Sequence, residues 1–261
     1  MERSPIAWHA GAMEYSDRHE AQTSASYRLL GRARKGNAFE ETVEHLLRGF
    51  KIGVFPPGGR LPPERELAEE LGVSRATLRD ALAELQKAGY VTIQRGRYGG
   101  ATVASELPPS GAVLGSEDQE MVEDILTFRA VVEPAAAALA AEAALSSVQR
   151  KGLLQAMRAV STSEAGQYRP LDARLHIAIA ELGPSPSLAG AVAEARAATS
   201  DLLDRIPFLE RNIEHSDAQH QSIIEAILVG DPIRARELMA EHLEGTASLL
   251  RGFLATAQVG S

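Results

Sequence analysis

Asp172 and His176 stand four residues apart in the stretch "DARLH". Four residues are slightly more than one helical turn, so on a helix the two side chains share a face and can converge on one ion. Two further histidines bracket the turn "GDP" at 230–232. His220 lies ten residues before Gly230, and His242 lies ten after Pro232. In an antiparallel helical hairpin with a rise of ~1.5 Å per residue, the two reach the same height. One carboxylate and three imidazoles carried by three helices form a borderline-soft donor set. It suits Zn²⁺, Ni²⁺ or a similar divalent ion and leaves exchangeable positions for water or ligand. Such an ion can grip a small carboxylate directly. The chain has no cysteine, so thiolate ligands and disulfides are excluded.

The remaining histidines fit this set less well. His215 lies five residues before His220, about 140° away from the ligand face at ~100° per residue, and reads as exposed. His45 is assigned no role. Histidine–carboxylate metal sites also hydrolyse bonds, but no paired general base stands beside this one. The reading is therefore not an enzyme, with a metal-dependent hydrolase kept as the remotest alternative.

Four such side chains meet only if long helices carry them. Beyond residue 117 nearly everything reads as helix, with helices expected at 118–144, 147–160, 168–182, 187–205, 210–229 and 232–254. Within "LDARLHIAIAEL", Leu171, Leu175, Ile179 and Leu182 form an apolar stripe beside the Asp172–His176 face. This places the polar pair at the core boundary of a helical bundle. Residues 105–117, "SELPPSGAVLGSE", read as a linker rich in Pro, Gly and Ser, and 255–261 as a tail. Residues 1–37 show no sustained period and read as a flexible N-terminal arm, basic around "GRARKGN".

Residues 38–104 follow another order. "FEETVEHLLRGFKIG" places Phe39, Val43, Leu46, Leu47 and Phe50 on one helical stripe. "PPERELAEELG" reads as a short helix with proline in its first turn and Gly72 as C-cap. Ser74 caps a third helix, "RATLRDALAELQKAG". "YVTIQ" and "ATVAS" then form a two-stranded ribbon around "RGRYGG". Helix, helix, tight "GVSR" turn, helix and hairpin is the winged helix-turn-helix order. The third helix presents Ser74, Arg75, Thr77 and Arg79 to a major groove, where arginine pairs with guanine. Arg65 can reach the backbone, and Arg95 with Gly96 at the wing tip allows close approach to DNA. The fold class is mainly α: an N-terminal winged helix-turn-helix at 38–104 and a C-terminal all-α bundle at 118–254.

The formal charge of −8 does not oppose a DNA-reading role, because it is segregated. Residues 1–37 carry six Lys/Arg against four Asp/Glu, residues 38–104 nine of each, and residues 105–261 12 against 22. The acidity belongs to the helical half. No run of about 18 apolar residues occurs and the N-terminus lacks an apolar signal core, so no membrane span is expected and a cytoplasmic location follows.

"LPPERELAEELGVSRATLRDALAELQKAGYVTIQRGRYGG" resembles the N-terminal domain of GntR-family bacterial transcription regulators. The matched positions are Leu61, Pro62, Glu64, Arg65, Leu67, Ala68, Gly72, Val73, Ser74, Arg75, Leu78 and Arg79. The second half, through "FRAVVEP", "DARLH", "HQSIIEAI" and "AEHL", resembles the FCD ligand-binding domain of the FadR-like branch. The resemblance implies DNA contacts by Arg65, Arg75, Arg79, Arg95 and Gly96, and a divalent metal on Asp172, His176, His220 and His242. Leu175 stands where that family usually carries an aromatic residue. Arg129 in "FRAVVE" is placed to pair either with an effector carboxylate or with Glu133 one turn later. The expected protein is a homodimeric, metabolite-responsive regulator such as a repressor, reading a two-fold operator and binding a small carboxylate. An architectural DNA binder with a purely structural metal is the other alternative.

Overall fold

The computed structural model describes Ala33, residues 36–94, Gly96, residues 99–108 and residues 116–254. The expected arm at 1–37 thus lies outside the described residues except for Ala33, Gly36 and Asn37. So do Arg95, most of the linker and the tail.

Helix α1 (Ala38–Lys51) buries its expected stripe of Phe39, Val43, Leu46, Leu47 and Phe50. Acidic Glu40 and Glu41 in its first turn and basic Arg48 and Lys51 in its last oppose the ends of its dipole. Helix α2 (Glu64–Leu71) follows Pro63 and stops at Gly72, whose φ of 70° is left-handed backbone that a side chain resists. Helix α3 (Arg75–Lys87) starts where the Ser74 hydroxyl accepts from the Thr77 amide at 3.0 Å. Strands β1 (Val91–Gln94) and β2 (Gly100–Val103) pair antiparallel with Val91 opposite Val103. Arg60 bridges to Thr102 on the outer side of β2. This is a winged helix-turn-helix.

Six helices make the rest: α4 (Ser116–Glu142), α5 (Ser147–Ser161), α6 (Ala165–Glu181), α7 (Pro186–Leu203), α8 (Glu210–Val229) and α9 (Pro232–Leu254). Their ends carry ordinary stop signals. Ser146 and Gln149 form a capping box before α5, and Ser185 caps α7 with Pro186 in its first turn. Gly230 ends α8 in left-handed backbone, φ 79°. Two expected boundaries move. Helix α4 begins at Ser116, inside the segment read as linker. Helix α6 begins at Ala165 rather than 168, with Pro170 inside it, because Tyr168 is buried with its ring edge-on to Phe208.

The two halves share a core. The side chains packed under α1 and α3 continue into Val122 and Leu126 of α4, Leu249, Leu250 and Phe253 of α9, and Leu202 of α7. Tyr90 meets Phe253 edge-on at 5.8 Å. Small residues let α1 and α9 approach closely: a Cβ on Gly252 would come 2.9 Å from the Glu44 Cα. Lys51 closes the far end of this contact, donating to the carbonyls of Gly252 and Phe253 at 2.7 and 2.9 Å. A second core of Leu175, Ile179, Ile223, Ile224, Ile227, Met239 and Leu243 lies beneath α6, α8 and α9. It positions the four candidate ligands. No described helix is long and apolar enough to cross a membrane.

Candidate metal centre

Helix α6 carries Asp172 and His176 on one face, as their spacing requires, and α8 and α9 bring His220 and His242 opposite. All four are buried, and one ligand atom from each lies within 4.8 Å of every other. His220 Nε2 is 3.2 Å from His242 Nε2, 3.3 Å from His176 Nε2 and 3.2 Å from Asp172 Oδ1. The mirrored placement of His220 and His242 about the 230–232 turn does bring them level.

The outer nitrogens fix which ring nitrogens face inward. His176 Nδ1–H donates to Glu133 Oε2, and Glu133 is held ionised: burial would raise it, but Arg129, His176 and Arg196 lower it further. His242 Nδ1–H donates to Gln219 Oε1 at 3.0 Å. With both outer nitrogens protonated, His176 and His242 turn Nε2 lone pairs inward. Burial, then the Arg196 charge, lowers the His176 pKa to about 4, and burial with the neighbouring imidazoles lowers His242 as well. Both are neutral near pH 7. His220 behaves oppositely: burial disfavours its charge, but Asp172 and Asp217 outweigh that and raise it. Two lone pairs and a carboxylate oxygen converging on a third imidazole are a cluster suited to positive charge. The donor set fits a divalent ion of the borderline class, and the Glu133 and Gln219 contacts are the outer-shell partners such ligands require.

Two arginines lie buried beside the cluster. Arg129 Nε donates to Glu133 Oε1 at 2.6 Å, the ion pair expected as one option. Its two terminal nitrogens have no hydrogen-bond partner among the described residues. Arg196 of α7 donates to Asp172 Oδ2 through one terminal nitrogen, while its Nε and other terminal nitrogen are likewise unpartnered. Unpaired buried guanidinium donors cost free energy and point to an anion. Sequence reasoning missed Arg196. The signal was a single arginine within "AVAEARAATS", a stretch rich in alanine. It also treated Glu133 only as an ion-pair partner and did not single out Gln219. A cleft leads outward from Asp172 and His242, walled by Leu203, Ile206, Phe208 and Leu209 and by the polar Asn212 and Arg169.

The DNA-reading candidates stand apart from this centre. Arg65, Ser74, Arg75 and Arg79 are exposed on α2, the turn and α3, with Thr77 half-buried. The Ser74 hydroxyl is committed to capping α3 and to the Thr77 hydroxyl at 2.8 Å. Arg79 is paired to Glu64 at 2.6 Å, and Arg65 lies near Glu66 and Glu69. Gly96 at the wing tip has φ 119° and open space around it. His215, expected to be exposed, is half-buried and bonds to Glu40 of α1 at 2.8 Å.

Comparison with known proteins agrees with this architecture. Residues 39–101 match the family described as bacterial regulatory proteins, gntR family, and residues 124–245 match the FCD domain. RmpR of Mycobacterium gastri, named as an HTH-type transcriptional regulator, is 32% identical over 228 residues, covering 84% of this chain and 81% of that protein. A protein of Escherichia coli strain K12 named for regulation of the L-lactate dehydrogenase operon is 29% identical over 207 residues, covering 75% and 80%. The Exu regulon transcriptional regulator of the same strain is 26% identical over 228 residues, covering 81% and 84%. These relatives are regulators, not enzymes, which removes the hydrolase alternative. This chain belongs to the GntR family of bacterial transcription regulators, with a helix-turn-helix DNA-binding domain followed by an FCD domain.

Proposed function

We propose that this regulator senses a small carboxylate metabolite at a divalent metal, Zn²⁺ or Ni²⁺, held by Asp172, His176, His220 and His242. The carrying observation is the convergence of three imidazole Nε2 atoms and Asp172 Oδ1 within 4.8 Å of one another, with the outer nitrogens of His176 and His242 bonded to acceptors. When bound, the metal supplies a Lewis acid to an anionic ligand. The unpartnered donors of Arg129 and Arg196 supply the complementary positive groups, and the cleft beside Asp172 gives a route in. A relative named for a lactate operon accords with a carboxylate effector.

Arg65, Ser74, Arg75, Thr77, Arg79, Arg95 and Gly96 form the DNA-contacting set, with Arg75 and Arg79 reading base edges and the others the backbone. To reach bases, Arg79 must leave Glu64, which exposure makes cheap. The regulator acts as a homodimer on a two-fold operator. Met121, Phe128 and Val131 expose an apolar stripe along α4 that suits a second copy. The DNA reader spans 38–104 and the effector domain 118–254 in this reading. An effector shifts the operator affinity only by binding one arrangement of the two domains better than another.

The test uses duplex DNA selected by the protein from a random pool. Small carboxylates, lactate first, are added to the metal-loaded protein–DNA complex, and affinity is compared in the parent and His220→Ala. The proposal predicts an acid that changes DNA affinity in the parent and not in the variant. A metal-bound parent that answers to no carboxylate supports the architectural reading instead.

A further inference from the structure

We propose that Gln219 is the positioning residue through which the metal centre addresses the DNA-reading domain; this rests on the metal reading above. Gln219 lies on α8 directly before His220, and its amide faces two ways. Its Oε1 is 3.0 Å from His242 Nδ1, and its Nε2 is 3.0 Å from Asn37 Oδ1. Asn37 is the residue preceding α1 and is buried. An asparagine there usually turns its side chain back onto the first-turn amides. In this protein it makes no such bond. Its Nδ2 donates instead to the backbone carbonyl of Glu241, the residue before His242, at 2.6 Å. Gly245 makes the room, because a Cβ there would come 2.9 Å from Asn37 Oδ1.

Each link admits one assignment. A backbone carbonyl can only accept, so Asn37 turns its NH₂ to Glu241. Its Oδ1 then faces Gln219, which must donate. The Gln219 oxygen is left facing His242 Nδ1, which must carry the ring proton. The His242 lone pair is thereby fixed at Nε2, facing His220 Nε2 at 3.2 Å. Two hydrogen bonds thus run from His242 to the start of the DNA-reading domain, with the polarity that metal binding needs, and a third returns from Asn37 to α9. One turn earlier on α8, His215 holds Glu40 of α1. Fixing His242 on a metal fixes Gln219, and Gln219 fixes the entry to α1.

The test uses the full chain and Zn²⁺ alone, with two readouts: Zn²⁺ affinity by competition with a chelator, and amide hydrogen exchange of residues 42–47 with and without Zn²⁺. In the parent, Zn²⁺ slows exchange in this segment. Gln219→Glu still accepts from His242 but cannot donate to Asn37, so Zn²⁺ still binds and the slowing of α1 is lost. Asn37→Ala gives the same split without altering any residue that touches a ligand. Gln219→Leu loses both links, with Zn²⁺ affinity down ~10–100-fold. Zn²⁺-induced slowing that persists in Gln219→Glu and Asn37→Ala overturns the proposal, as does a parent that binds Zn²⁺ with no change in α1. A parent that binds no Zn²⁺ contradicts the metal reading itself and removes this inference with it.

Discussion

His220 is the imidazole of the cluster that holds a proton most readily. His176, lowered to about 4, and His242, also lowered, are neutral near pH 7, and Asp172 is held ionised: burial would raise it, but Arg196 and the histidines outweigh this. His220, raised above its usual value by Asp172 and Asp217, is the imidazole whose proton competes most with a metal. Metal affinity therefore climbs with pH through the raised His220 value and levels off above it. The protons released per ion, read by calorimetric Zn²⁺ titrations in buffers of different ionisation enthalpy, should fall as pH rises; a release that grows with pH would contradict this assignment. Glu133 carries a second prediction. It orients His176 and neutralises Arg129, both fully buried. Glu133→Ala should lower Zn²⁺ affinity ~10–100-fold. It should also cost ~3–5 kcal/mol in calorimetric stability, because it strands the Arg129 charge. The two pairs of candidate ligands were legible from helical spacing, and their union in one set from the resemblance to the FCD domain. Glu133, Gln219 and Arg196 were not, since their roles depend on how α4, α7 and α8 are rotated about their axes, which no local pattern encodes.

Helices α8 and α9 were the most legible elements. Gly230 and Pro232 fix their junction, and both were expected with the bounds they have. What the sequence concealed is that these two helices also hold the DNA-reading domain. Glu210 and Arg211 of α8 reach Lys87 and Asp80 of α3 at 2.8 and 3.2 Å, and His215 reaches Glu40 of α1. Such contacts join residues more than a hundred positions apart and leave no periodic trace. The His215 contact predicts a pH dependence. The hydrogen bond to Glu40 raises His215 above its unfolded value of ~6.5, with burial opposing. Its stabilisation is complete below that value and is lost as pH rises through the higher folded one. Exchange protection of α1 should fall over that rise, and His215→Gln should flatten the dependence. At the α1–α9 contact, Gly252→Val forces a side chain toward the Glu44 backbone. A loss of ~1–3 kcal/mol in thermal stability is expected.

At the scale of the whole molecule, the charge is partitioned between a neutral DNA-reading domain and an acidic helical domain. The partition lets arginines act on DNA without the −8 total opposing them at close range, since exposed charges are screened beyond ~10 Å at 0.1 M salt. Arg75→Ala should weaken binding to pool-selected duplex by ~1–3 kcal/mol at fixed salt and relax the base preference at one position. The winged fold was legible because "LGVSR" and its flanks combine a left-handed glycine, a cap and a recognition helix in one short string. The continuous core from Leu82 through Phe253 was not, because the apolar stripes of α1 and α9 read equally well as faces of two separate domains. Everything proposed for regulation depends on the metal. Its most direct test is the metal content and X-ray absorption spectrum of full-length protein purified without chelator. We predict one divalent ion per chain, bound by imidazole nitrogens and a carboxylate oxygen at ~2.0–2.2 Å and lost in His220→Ala. Protein that takes up no Zn²⁺ or Ni²⁺, or that binds it equally well in His220→Ala and His242→Ala, would contradict the account.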